Sequence, residues 1–155
     1  MDAFWTETLY NLLKPRALTG EADVDVSAAV YTGYVEILKV EPITAIRDLV
    51  IDLDFNKVTT GWDTVSTASD TMNVAAFVKV DGTNWRSVEV SSAFTATGAG
   101  TLATAGYRFK LGTVDVTQDI SIRIKLSVER ADCEIPYRIN YCSEQAPTVT
   151  AVAAI

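Results

Sequence analysis

The feature that most constrains this sequence is a strict alternation of apolar and polar residues. It is clearest in DISIRIKLSVER, residues 119–130, where every second side chain is aliphatic and those between are polar or charged. Because successive side chains of a β-strand point to opposite faces, the pattern predicts one dry face and one wet face. It is typical of a strand in an antiparallel sheet packed on a core. The apolar positions are Ile120, Ile122, Ile124, Leu126 and Val128.

The same period of two recurs along most of the chain. The segments that carry it are residues 29–40, 47–55, 71–80, 85–90, 106–112 and 134–142. Gly33 interrupts the first of them, and we interpret it as a bulge. Asp81-Gly82 separates residues 71–80 from residues 85–90 and predicts a β-hairpin.

Seven or eight such strands without alternating helices exclude a parallel α/β fold. The predicted fold class is all-β, an antiparallel β-sandwich of jelly-roll or Greek-key type. An immunoglobulin-like topology is the alternative, although no Cys…Trp…Cys spacing supports it.

The N-terminal residues predict a short amphipathic helix. Asp2 is a suitable N-cap and Pro15 ends the segment, so we predict a helix over residues 3–14. A helix this short is marginal in water, so its apolar face must lie on a larger surface, either of its own domain or of a neighbour. That face carries Phe4, Trp5, Leu9, Leu12 and Leu13.

Residues 16–26, RALTGEADVDV, are predicted to be a linker because Gly20 and alternating acids argue against a packed element. We therefore divide the chain into a helical arm with its linker (1–26), a β-sandwich body (27–144) and an extended apolar C-terminal tail (145–155).

Two further segments carry no charge. Residues 91–106 are almost entirely Ser, Ala, Thr and Gly around Phe94 and Leu102, which predicts either a flexible loop or a loop that packs closely against another subunit. The C-terminal tail is similar, with Val149, Val152 and Ile155 as its larger apolar residues.

Composition excludes several classes of function. The chain has no histidine, which removes Ser-His-Asp and Cys-His nucleophilic catalysis and most zinc sites. Its net charge of -7 would repel phosphate backbones, so we expect no nucleic-acid partner. No run of 18 apolar residues and no signal-peptide pattern occurs, so we expect no membrane association and synthesis in the cytosol.

Cys133 and Cys142 bracket a predicted strand, which would hold their sulfurs about 30 Å apart. Two free thiols follow, since a disulfide needs Cα atoms within about 7 Å. A sharp turn at Pro136 is the alternative that would allow pairing.

The candidates for chemistry are few. Asp52 and Asp54 share a strand face, as paired catalytic carboxylates would, but alternate acids are common on wet faces. Residues 81–84, DGTN, offer oxygen ligands without the full pattern of a calcium loop, and no phosphate-binding glycine motif occurs. We therefore predict that the chain is not an enzyme and has no catalytic residue, cofactor or metal site.

In organisation, the chain resembles the small decoration, or cement, proteins of tailed-phage heads. MDAFWTETLYNLLKP and APTVTAVAAI are the stretches that carry the resemblance, as arms flanking an acidic all-β body. The resemblance implies that the chain binds the major capsid protein or other virion subunits, forms a homo-oligomer with a trimer favoured, and lies on the capsid surface after synthesis in the host cytoplasm. The predicted interface residues are Phe4, Trp5, Leu9, Leu13, Phe94, Leu102, Val149, Val152 and Ile155.

Two alternatives remain open at this point. Trp62 or Trp85 would stack a sugar in a carbohydrate-binding module. Another virion component, such as a minor capsid, tail or fibre subunit, would differ only in the neighbour that the arms contact.

Overall fold

A computed structural model of the chain describes residues 14–26, 33–57, 71–95, 105–126 and 131–152. These residues form ten β-strands and no helix. The strands are β1 (Arg16–Val26), β2 (Val35–Glu41), β3 (Ile46–Asp54), β4 (Thr71–Lys79), β5 (Trp85–Val90), β6 (Phe94–Thr95), β7 (Gly106–Val114), β8 (Ile120–Leu126), β9 (Ala131–Cys142) and β10 (Thr148–Ala151).

The strands form two antiparallel sheets. Sheet 1 has the order β1-β9-β3-β7, and sheet 2 has the order β10-β2-β8-β4-β5, with β6 paired to β4. Apart from the β4–β5 hairpin, which continues through β6 in sheet 2, successive strands alternate between the sheets. Without the short strands β6 and β10, this order is that of a jelly roll, which is the predicted architecture.

The core lies between the two sheets, where the predicted apolar faces meet. Leu49, Ile51 and Leu53 of β3 are buried, as are Ile120, Ile122 and Ile124 of β8. The alternation therefore identified the buried faces of both strands correctly. The largest fully buried side chains are Phe109, Ile37, Leu38, Ile46, Leu49, Ile51, Met72, Ile120, Ile122, Ile124 and Ile135.

The β4–β5 hairpin is confirmed, although its loop is longer than two residues. Lys79 lies opposite Trp85, and Gly82 adopts a φ of 77°. The Asp81 carboxylate accepts hydrogen bonds from the backbone N–H groups of Thr83 and Asn84, at 3.0 and 2.7 Å. These bonds lower the pKa of Asp81, so the DGTN segment acts as a turn.

The predicted linker is wrong, because residues 16–26 form β1. All eleven residues pair one to one with β9 at the edge of sheet 1, and Ala22 is buried. Gly20, which argued against a packed element, lies directly opposite Tyr137, where a Cβ would collide with the tyrosine ring. The glycine therefore makes room for the aromatic ring of its partner strand.

Two other local predictions need correction. Gly33 precedes β2, and the irregularity of that strand lies instead between Glu36 and Leu38. Part of the predicted C-terminal tail forms β10, which pairs with β2. Residues 3–13 of the predicted helix lie outside the described residues, and Lys14 is not helical.

The start of the uncharged segment 91–106 is part of the sandwich. Ser91 exchanges two hydrogen bonds with the backbone of Val74, both 2.9 Å, one through its N–H and one through its hydroxyl oxygen. Phe94 follows in β6 and is buried. Residues 96–104 lie outside the described residues.

Pro136 does not turn the chain, since β9 runs without interruption from Ala131 to Cys142. Cys142 is a free, buried thiol, as predicted. In the described part of the chain, we find no helix of the length and apolarity that a membrane span requires.

Gly106 is a position where the fold requires glycine. A Cβ there would collide with the backbone carbonyl oxygen of Leu53 on the neighbouring strand, whereas a Cβ at Gly33 meets nothing within 4 Å. We expect Gly106→Ala to lower the free energy of unfolding by about 1–3 kcal/mol, because β3 and β7 would have to separate. Urea unfolding measures the change. Gly33→Ala is the control, and an equal effect of both substitutions would contradict this account.

Candidate interaction surface

The two long sides of the sandwich differ in how they are closed. On the side of β1, the carbonyl of Val152 accepts a 2.9 Å hydrogen bond from the N–H of Asp23, and the N–H of Val152 donates a 3.0 Å bond to the carbonyl of Ile37. The residue after β10 thus joins sheet 1 to sheet 2. This side of the sandwich is fastened by the chain's own C-terminal region.

Among the residues that the structure describes, nothing closes the opposite side. It is bordered by β5 at the edge of sheet 2 and β7 at the edge of sheet 1, and a cavity of about 430 Å³ lies between the two strands. We call this cavity the β5–β7 groove. Its lining residues are Val78, Val88, Glu89, Lys110, Leu111, Thr113, Val114 and Gln118.

A bulge interrupts each edge strand beside the groove. In the pairing of β4 with β5, Ala76 lies opposite Glu89 and Phe77 lies opposite Ser87. Val88 therefore has no partner on β4 and is the extra residue of the bulge. The register of β3 and β7 shifts in the same way at Leu111, next to Gly112 with its φ of 67°. Both extra residues line the groove. Bulges also hinder the addition of a further strand to an edge.

The hairpin beside the groove carries much of the exposed apolar surface of the described residues. Val80, Val88 and Val90 are 47%, 55% and 51% exposed. Scattered exposed aliphatic residues are ordinary, but three on one hairpin, of which Val88 lines the groove, are typical of a contact surface.

On the β5–β7 side, a hydrogen bond between side chains joins the two sheets. The Tyr107 hydroxyl donates a 3.1 Å hydrogen bond to Oε1 of Glu89. Burial raises the pKa of the Tyr107 phenol, and the bond to the Glu89 carboxylate and its negative charge raise that pKa further. Tyr107 also packs against Phe94 and Phe109, so the bond anchors β5 to the aromatic part of the core.

None of the predicted interface residues that the structure describes lines the groove. Phe94 is only 8% exposed and packs against Phe55 and Tyr107, which leaves little of it for a partner. Val149 is half-buried on β10, and Val152 is 37% exposed beside the fastened side. The others lie outside the described residues: Phe4, Trp5, Leu9, Leu13, Leu102 and Ile155.

Trp85 lies on the outer face of sheet 2 among cations. The Arg123 guanidinium carbon is 4.2 Å from the ring centroid of Phe77 and 5.3 Å from that of Trp85. Lys79 Nζ is also 5.3 Å from the Trp85 centroid, and it pairs with Asp119 at 3.6 Å. These cations occupy ring surface on which a sugar would stack. Trp62 lies outside the described residues.

The acidic candidates have partners of their own. Asp52 pairs with Arg108 through two bonds of 2.6 and 3.1 Å, and Asp54 accepts a 2.8 Å bond from the N–H of Asn56. These contacts occupy both carboxylates at the surface of sheet 1.

A second acidic group is formed by Glu21, Asp23 and Glu134, whose carboxylate oxygens lie within 4.8 Å of one another. Lys57 Nζ is 2.9 Å from Glu21. The hydrogen bond from Lys57 lowers the pKa of Glu21 and raises the pKa of Lys57. The ammonium group thus offsets the mutual repulsion of the acids.

The strand order defines the chain as a jelly-roll β-sandwich. No family model and no curated protein matches the sequence. Among solved structures, the chain is similar to a chain of the T=1 particles derived from infectious bursal virus, with 13% identity and a TM-score of 0.39 over 88% of this chain and 38% of that one. It is also similar to a chain of the infectious bursal disease virus Gx strain, with 15% identity and a TM-score of 0.29 over 88% of this chain and 39% of that one. The chain therefore spans less than two fifths of either.

The cross-sheet bond predicts a specific pH dependence. The folded state holds the Tyr107 proton more tightly than the unfolded state, in which the pKa is near the ordinary 10.0. This stabilisation is complete below that value and is lost as the pH rises through the raised pKa. We expect Glu89→Gln to lower the pKa of Tyr107, measured by tyrosinate absorbance with Tyr107→Phe as the blank. Glu41→Gln is the control, and an unchanged titration in Glu89→Gln would count against the bond.

Proposed function

We propose that the chain is a non-enzymatic structural protein of a virus particle, which binds a capsid lattice and stabilises it as a head decoration or cement protein. Its partners are the major capsid protein or other virion subunits, and it acts as a homo-oligomer, with a trimer favoured, on the capsid surface. The observation that carries this proposal is the β5–β7 side of the sandwich, which the described residues leave open and which presents exposed valines and a partly aliphatic groove.

The fold is compatible with this role, because jelly rolls occur in viral capsid domains, although they also occur in lectins and cupins. The polar groups support it further. Asp52 and Asp54, the acids that were candidates for catalysis, are engaged in an ion pair and a turn. Three exposed valines, Val80, Val88 and Val90, lie together on the β4–β5 hairpin. A protein that acts by binding other proteins needs an exposed apolar surface and does not need acidic residues that are available for catalysis.

The N-terminal arm supplies the contact energy in this proposal, on a neighbouring subunit of the particle that is either the capsid protein or a second copy of this chain. If Phe4, Trp5, Leu9 and Leu13 together lose about 400 Å² of apolar surface on a neighbour, the gross gain is about 10 kcal/mol before the costs of ordering and association. Repetition over a lattice makes even a small net gain effective.

A carbohydrate-binding module is the second candidate, favoured by the partly exposed Trp85. The cations around that ring argue against it, because a sugar would have to displace Arg123 or Lys79. A glycan array on the isolated chain separates the two candidates: binding that Trp85→Ala abolishes would favour the module.

The first test of the capsid role is native mass spectrometry of intact virions. We expect the chain at a copy number that matches a lattice position, and absence from the particle would contradict the proposal. The second is removal of residues 1–15, which we expect to abolish cosedimentation with virions stripped of the chain while thermal unfolding of the body persists. Full binding by the truncated chain would rule out a role for the arm.

Point variants separate the effect of the apolar face of the predicted helix, here called the apolar stripe, from the effect of the arm's net charge on particle binding. Leu9→Asp adds one negative charge to the stripe, and Asn11→Asp adds the same charge on the other side of the predicted helix. We expect the first to weaken particle binding at least about tenfold and the second to leave it unchanged.

A further inference from the structure

We propose that the β5–β7 groove receives the N-terminal segment, residues 1–13, of a second copy of this chain. The inference deepens the proposed function, because it names the surface through which the copies join. It rests on the asymmetry between the two sides of the sandwich: Val152 fastens the β1 side, whereas the β5–β7 side has exposed valines and a cavity of about 430 Å³.

The groove is suited to side chains rather than to an added strand. The bulges at Val88 and Leu111 break the regular edges of β5 and β7 and turn both residues to the cavity. An edge interrupted in this way resists strand addition. Val78, Val88, Leu111 and Val114 form the aliphatic part of the groove, and the remaining lining residues are polar. A groove of this mixed character suits an amphipathic helix, whose apolar face lies on the aliphatic part.

The chain itself contains a segment with that face. The sequence predicts a helix over residues 3–14, and the stripe from Phe4 to Leu13 is about 14 Å long in helical form. The charges also match. Asp2 and Glu7 are the charged side chains of residues 1–13, whereas exposed Lys110 lines the groove and β5 also carries exposed Arg86. The Glu89 carboxylate, which lines the groove as well, accepts a hydrogen bond from Tyr107.

Distance assigns the segment to another copy. Leu13 is three residues from Arg16, where β1 begins, and three residues span at most about 11 Å. Three strand spacings separate β1 from β7 in sheet 1, which is about 14 Å. If residues 3–13 form the helix that the sequence predicts, Leu13 therefore stays nearer to β1 than to β7, and the apolar face from Phe4 to Leu13 cannot lie wholly in the groove of its own chain.

The resulting contact is head to tail, because the segment and the groove are different surfaces of the chain. Contacts of this type close into rings when the rotation permits. A trimer joined in this way has three identical contacts and leaves no segment or groove unused.

Complementation between two variants tests the inference. Deletion of residues 1–13 keeps the groove and removes the segment, whereas Val88→Asp keeps the segment and places a charge in the groove. We expect each variant alone to associate at least about tenfold more weakly than the full chain in sedimentation velocity. Mixed together, they should form a one-to-one heterodimer, because one intact segment meets one intact groove.

The controls keep the result unambiguous. Ile43→Asp alters an aliphatic residue that is 49% exposed in the β2–β3 turn, away from the groove, and should associate as the full chain does. Val88→Lys is a second groove variant of opposite charge, and thermal unfolding verifies that every variant is folded.

A full chain that stays monomeric, or folded variants that fail to complement one another, would overturn the inference. Particle binding is measured separately from complementation. Complementation without particle binding would contradict the proposed function alone, and particle binding without complementation would contradict the groove assignment alone.

Discussion

The structure depends on one layer of apolar side chains packed between its two sheets. β3 and β9 from one side and β8 and β4 from the other supply branched aliphatic side chains that are fully buried. Burial of such side chains is worth roughly 1.5–3 kcal/mol each, and it is available only if every strand keeps its register. A slip of one residue in any of these strands would turn its aliphatic face to solvent and disrupt this layer.

The edges of the layer determine what the molecule can do. A sandwich has two long sides where its sheets end, and exposed edges invite association. This chain fastens one side with the backbone of Val152 and leaves the other bordered by two bulged strands. Bulges suppress indiscriminate strand pairing while they present Val88 and Leu111 to the groove. Such an edge can bind a specific partner through its side chains, while its bulges keep the protein from aggregating by strand addition.

Much of the fold was predictable from the sequence, because the alternation in β3, β4 and β8 reports directly on burial. β1 was missed because Gly20 and the acids suggested a linker, and only the opposing ring of Tyr137 explains the glycine. The interaction surface was harder to predict. Val88 and Val90 look like any strand residues in WRSVEV, and their exposure follows from the position of β5 at an edge, which a single sequence does not reveal. Phe94 is the opposite case. Its segment resembles a loop in composition, so the sequence predicted an interface residue, but its side chain lies in the core.

We infer that another protein molecule binds at the open side of the sandwich. Hydrogen–deuterium exchange of the full chain, compared between dilute and associated samples, tests this most directly. We expect association to slow exchange of the backbone amides in β5 and β7 and to leave exchange in β1 and β10 unchanged. Protection confined to β1 and β10, with β5 and β7 unaffected, would contradict it.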